Sequence, residues 1–221
     1  MSEMTHAAIP QSFFEYRAAY RDPVFPVPKL YSEVTEAVLS AFCPWNVTLE
    51  NVAYRQNPAN LGEVSVTFSL LAGRITFTVG LGSMSVIVSN PTWSESDLIT
   101  NVLRAGLSGI VGAASVAVGE QRATLAMHVK PAEGSIKEFV TALAKPTQGA
   151  LMGGDVRGYG FSVYRQQSSW VVDTSALHRD ALFVRIEHVV GPEVSLEEIA
   201  ARLRADEIAL LDLMHLQVDR K

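Results

Sequence analysis

Val64-Ser-Val-Thr-Phe-Ser-Leu70 is followed, past Ala72-Gly73, by Ile75-Thr-Phe-Thr-Val79, and past Gly80-Leu-Gly82 by Ser83-Met-Ser-Val-Ile-Val-Ser89. Side chains of a strand point alternately to its two faces, so a period of two marks a half-buried strand. Val64, Val66, Phe68 and Leu70 fall on one face, with Ile75, Phe77, Val79, Met84, Val86 and Val88 on the same side of the next two strands. Short turn signals between them make an antiparallel meander with one apolar face.

The opposite face is nearly all hydroxyl: Ser65, Thr67, Ser69, Thr76, Thr78, Ser83, Ser85 and Ser89. Exposed sheets ordinarily carry Lys or Glu against unwanted pairing. A face so poor in charge is either a plain solvated surface or one that meets another subunit or a wet cavity.

A helix follows the meander. Ser94-Glu-Ser-Asp97 reads as its capping box, and Leu98, Ile99, Val102, Leu103, Leu107, Ile110 and Val111 form its apolar side. Gly106, Gly109 and Gly112 each weaken a helix by about 0.8–1 kcal/mol relative to Ala. Tight tertiary packing, or a break near Gly112, is expected.

The order from Glu63 to Ala113, strands closed by a helix, recurs in outline from Gly158 to Leu216. There Tyr159–Tyr164, Trp170–Thr174 and Leu182–Val190 read as strands. Ser195-Leu-Glu-Glu198 is a full capping box for a closing helix with Leu196, Ile199, Leu203, Leu210 and Met214 on one stripe and Ile208, Leu211 and Leu213 widening it. The expected fold class is α+β: antiparallel sheets with helices packed on one face, as two similar β-meander–helix repeats or as one compact domain.

The expected boundaries are a tail over residues 1–12, a first half over 13–147, a Gly-rich linker over 148–158 and a second half over 159–221. Phe13 to Tyr20 reads as a first strand or a docking arm. The prolines of Asp22–Pro28 argue for an extended connector, and Ser32 starts a short helix ending at Cys43-Pro44-Trp45. Val47–Gln56 reads as strand-like, Ala123–Val129 as a strand, and Ser135–Lys145 as a capped helix.

Composition limits the function. The chain has 221 residues, and 19% are charged, against about 25% for an average soluble domain. A charge-poor chain hides surface in a core or against a partner. Net charge is −5, and arginines are scattered. Nucleic-acid binding is disfavoured, because phosphate neutralisation needs clustered Lys and Arg. The single cysteine, Cys43, excludes an intrachain disulfide and suits a reducing compartment. Flanked by Phe42 and Pro44, it reads as a small buried hydrophobe. Residues 1–11 have no apolar core of a signal peptide, and Ala105–Gly119 is too short for a bilayer span. A cytoplasmic protein is expected.

No motif for a catalytic, cofactor or metal site is present: there is no G-x-S-x-G, H-E-x-x-H or P-loop. His6, His128, His178, His188 and His215 lack metal-type spacing. Asp173, Thr174, His178, Arg179 and Asp180 cluster on a strand end and loop. They would suit a hydrolytic Asp–His pair or ordinary turn bonding. The leading expectation is a non-enzymatic interaction or assembly protein without cofactor, forming a homo-oligomer or binding a protein partner. Its candidate contact residues are Leu203, Leu210, Leu211 and Met214 on the last helix and Thr67, Thr76 and Thr78 on the hydroxyl face. The alternative is a helix-grip-like binder of a small apolar ligand between sheet and last helix, and a hydrolase comes third.

Overall fold

The computed structural model describes residues 5–21, 26–57, 60, 63–132 and 160–218. The fold class is α+β, with ten strands, almost all antiparallel, and two long helices packed on sheet among the described residues. The elements are β1 (Thr5–Tyr20), α1 (Val27–Lys29), a π-helical turn (Leu30–Val34), α2 (Thr35–Ala41), β2 (Val52–Arg55), β3 (Ser65–Leu70), β4 (Ile75–Gly80), β5 (Ser83–Ser89), α3 (Ser96–Ala114), β6 (Val118–Pro131), β7 (Gly160–Tyr164), β8 (Ser168–Thr174), β9 (Leu182–Val190), α4 (Leu196–Leu213) and β10 (Leu216–Val218). The chain forms two compact units. Unit 1 comprises Met1–Ser12, Thr124–His188 and Ala201–Lys221; unit 2 comprises Phe13–Ala123 and Val189–Ala200.

In unit 2 the strand order is β2-β3-β4-β5-β1-β6. The apolar face read from Val64 onward is the core: Val66, Phe68, Ile75, Phe77, Val79, Met84, Val86 and Val88 are all buried. Phe42, at the end of α2, inserts its ring edge-on against Phe68 and Phe77, at centroid distances of 5.7 and 5.0 Å. Such edge-to-face contacts add about 0.5–1.5 kcal/mol each to area burial.

Helix α3 explains its glycines. A β-carbon at Gly106 would overlap the Phe77 ring, and one at Gly109 would stand 3.2 Å from the Ala37 carbonyl oxygen of α2. Both glycines are therefore sites of close approach. Gly112 meets nothing, yet the helix runs on to Ala114 without a break. Its cap lies earlier than expected. Thr92 and Glu95 form the capping box of a 3-10 turn (Trp93–Glu95) that leads into α3, and Arg74 Nη2 reaches 2.9 Å from the Glu95 carboxylate.

In unit 1 the order is β10-β1-β6-β9-β8-β7. Leu182, Val184, Ile186, Trp170 and Val172 line one buried face. From α4, Ile199 of unit 2 and Leu203 and Leu210 of unit 1 are buried, as is Met214 just past its end. Ser195 Oγ accepts the Glu198 amide at 3.1 Å, the N-cap bond foreseen for this helix.

Several expectations are corrected. Residues 5–12 are not part of a tail but the first half of the sixteen-residue β1. The closing helix stops at Leu213. His215, with φ 52, reverses the chain, and Leu216–Val218 pairs in parallel with Thr5–Ala7. Pro28 sits inside the helical turn α1, where its missing amide costs nothing in a first turn. Only Val52–Arg55 of the Val47–Gln56 stretch is strand. Cys43, at the start of a 3-10 turn, is exposed rather than buried. The linker 148–158 and the helix expected from Ser135 lie outside the described residues. The order of three strands and a helix does occur twice, as β3–β5 with α3 and β7–β9 with α4.

Candidate functional site

The most distinctive surface is the open face of unit 2. Strand registers set its side chains in two adjacent rows. Ala53, Thr67, Thr78, Ser85 and Arg17 are cross-strand neighbours in succession from β2 to β1. Ser69, Thr76, Ile87 and Glu15 form the next row, from β3 to β1. Each row is mostly hydroxyl until it reaches β1, where one meets a cation and the other an anion; β6, which carries the exposed Glu120–Arg122 pair, lies beyond β1. Thr67, Thr76 and Thr78 are half-buried by their neighbours in the sheet, and Ile87 is 43% exposed. Thr67 Oγ1 and Thr78 Oγ1 lie 3.2 Å apart, bonded across the strands.

A groove of about 230 Å³ opens on this face, walled by Arg55 and Glu63 on one side and Arg17 and Ser83 on the other. Its floor is Gly80, where a β-carbon would come within 3.3 Å of the Ser83 carbonyl oxygen. Glu63 is held below the usual carboxylate range by hydrogen bonds from Asn57 and Asn60, and it anchors Arg55 at 3.1 Å. Arg17 Nη2 donates to Ser83 Oγ across 3.4 Å, a long bond that leaves most of its fork to solvent.

In the polar cluster expected around residues 173–180, Asp173 and His178 bond to other groups. Asp173 Oδ1 accepts the Thr174 amide at 2.7 Å, whereas His178 Nε2 lies 3.0 Å from Gln11 Oε1. Arg179 and Asp180 form an exposed ion pair at 3.7 Å. The residues that do meet are Ser175 and His128, with Oγ to Nδ1 at 2.9 Å. Ser175 Oγ also accepts the amides of Leu177 and His178. Its lone pairs are thus spent on capping a turn, which leaves a poor nucleophile. Burial, and then the charge of His178 with its ring centroid 4.7 Å away, push His128 below the usual imidazole range.

A second polar contact lies within unit 1, beneath α4. Asp206 Oδ2 accepts Trp170 Nε1 at 2.9 Å and stands 3.0 Å from His188 Nε2. The Arg165 guanidinium stacks 4.2 Å from the Trp170 ring centroid. Burial lowers the His188 pKa and outweighs the raising effect of Asp206.

Of the helix residues expected at a contact surface, Leu203, Leu210 and Met214 are buried within unit 1 and Leu211 is half-buried. Ile208 and Leu213 are the exposed apolar pair, each at 52%. Asp206 and Glu207 interrupt the inward side of α4, so polar groups stand where a helix-grip binder would hold an apolar ligand. Among the described residues no three His, Cys, Asp or Glu side chains are placed to hold a metal. Among the same residues no helix is long and apolar enough to cross a membrane.

No family model matches this sequence, and no curated protein matches it.

Proposed function

We propose that the protein is a non-enzymatic assembly protein that associates with a second copy of itself through the open hydroxyl face of unit 2. The observation that carries this reading is the double row of mostly hydroxyl side chains, in which the only charges are Arg17 and Glu15 on β1, with the Arg55–Glu63 ion pair set outside the rows near β2. A hydroxyl both donates and accepts, so a Ser/Thr face can satisfy itself against its own copy. The centre of the face lacks the charges that usually keep a sheet surface solitary. The site chemistry adds support, since the contact of Ser175 with His128 has its serine oxygen occupied by backbone amides. A cytoplasmic setting belongs to this reading and rests on the lone cysteine.

Sedimentation velocity tests it, on the wild type and on Thr76→Lys. The wild type is expected to move from monomer to dimer across the micromolar range. Thr76→Lys, which places an ammonium at the centre of the face, is expected to stay monomeric with an unchanged circular dichroism spectrum. A wild type that remains monomeric at every concentration overturns the reading.

A further inference from the structure

We infer that the second copy docks face to face about a two-fold axis that lies between the two rows and runs across β1, so that Arg17 of each copy meets Glu15 of the other. The inference rests on the self-association proposed above and names its register.

The geometry follows from strand pairing alone. Glu15 and Arg17 are two residues apart on β1, on the same face, so they stand about 6.6 Å apart along the strand. Glu15 is opposite Ile87, and Arg17 is opposite Ser85. Ile87 is opposite Thr76, and Ser85 is opposite Thr78. Thr76 is opposite Ser69, and Thr78 is opposite Thr67. Two sheets stacked face to face are exchanged only by an axis parallel to both. When that axis runs along the rows and midway between them, it sets each row on the other row of the second copy. Thr76 then lies over Thr78, Ser69 over Thr67 and Ile87 over Ser85. The β1 cation of one row meets the β1 anion of the other, twice per dimer.

Of the axes that run along the rows, the other two are worse by the same reasoning. An axis along either row would set Arg17 on Arg17 or Glu15 on Glu15, and like charges brought together oppose association. The pairing is isologous, so it closes at two copies and leaves no open end for a filament. Five strands at about 4.8 Å spacing and some six residues at about 3.4 Å give a face of roughly 500 Å². Two such faces bury on the order of 1,000 Å², the lower limit for a specific contact. A micromolar dimer, sensitive to salt, fits that size.

The test is a charge exchange read by sedimentation equilibrium at low ionic strength. Arg17→Glu makes the β1 end wholly acidic and Glu15→Arg makes it wholly basic. Each is expected to weaken self-association at least tenfold. An equimolar mixture of the two is expected to dimerise, because every acidic position then meets a basic one. The double variant Glu15→Arg/Arg17→Glu is expected to dimerise within about threefold of the wild type. Circular dichroism melts establish that each chain is folded. Should a reversal variant fail to fold, Arg17→Gln and Glu15→Gln are measured instead, each with an expected loss of at least threefold. A dimeric wild type whose charge variants are indifferent, or whose mixture stays monomeric, overturns this register and leaves the assembly reading standing. A monomeric wild type overturns both.

Discussion

Thr67 Oγ1 and Thr78 Oγ1 lie 3.2 Å apart across β3 and β4, on the face of unit 2 opposite the core. A cross-strand pair of this kind contributes about 0.2–1 kcal/mol. Thr78→Val keeps the β-branched shape and removes the bond. Its expected cost in urea unfolding is below about 1 kcal/mol. So small a loss would mean that folding does not require these hydroxyls.

Gly106 gives the opposite case. Ala is the better helix former by about 1 kcal/mol, but its β-carbon would overlap Phe77, whose ring is fixed by Phe42 and Phe68. Overpacking a rigid core costs about 1–3 kcal/mol. Gly106→Ala is expected to lower stability by about that range despite the propensity gain. Gly112→Ala, where nothing lies within 4 Å, is expected to raise it. Denaturant midpoints of the pair measure the difference.

The β3–β4 turn holds a third prediction. Leu71 and Ala72 occupy the left-handed region, with φ of 50 and 55. For residues bearing a β-carbon this costs about 1–2 kcal/mol each, and Asn and Gly bear it best. Leu71→Asn combined with Ala72→Gly is expected to stabilise the protein by about 1 kcal/mol, seen as a higher thermal midpoint.

Two buried histidines predict a pH dependence. His128 and His188 both have folded pKa values below the ordinary imidazole value, in each case chiefly through burial. Well above pH 6.5 both folded and unfolded forms are neutral, and the shift has no effect. As pH falls through the unfolded value, the unfolded chain takes up protons that the folded one refuses, so stability drops until the folded groups titrate. Urea midpoints are expected to fall between pH 7 and pH 5. His128→Gln should flatten the part of that slope due to His128, while the burial of His188 keeps the rest.

The legible parts of the fold were the local ones. The period of two from Val64 to Ser89 located β3–β5 and sorted Phe68 and Phe77 from Thr67 and Thr78, because alternation is written in neighbouring residues. The N-cap at Ser195 was legible for the same reason. The first half of β1 was not, since residues 5–10 only alternate between half-buried and exposed and are held by distant partners such as Leu216. Thr92 is not legible as a cap, because a 3-10 turn separates it from the regular helix. The site was legible in kind but not in pattern. Thr76 and Thr78 could be named, but their rows end in Glu15 and Arg17 only once β1 is known to pair with β5. The contacts of His128 with Ser175 and of His188 with Asp206 likewise join different elements, and no spacing rule anticipates them.

Cross-linking tests the central claim most directly. In a Cys43→Ser background, which removes the exposed native thiol, Thr76→Cys chains are mixed with Thr78→Cys chains and treated with a short bismaleimide. The axis between the rows predicts cross-linked dimers in the mixture at a yield well above either chain alone. It also predicts a higher yield than that of an Ala205→Cys control on the exposed side of α4. Monomers throughout, or equal yields at all positions, would contradict it.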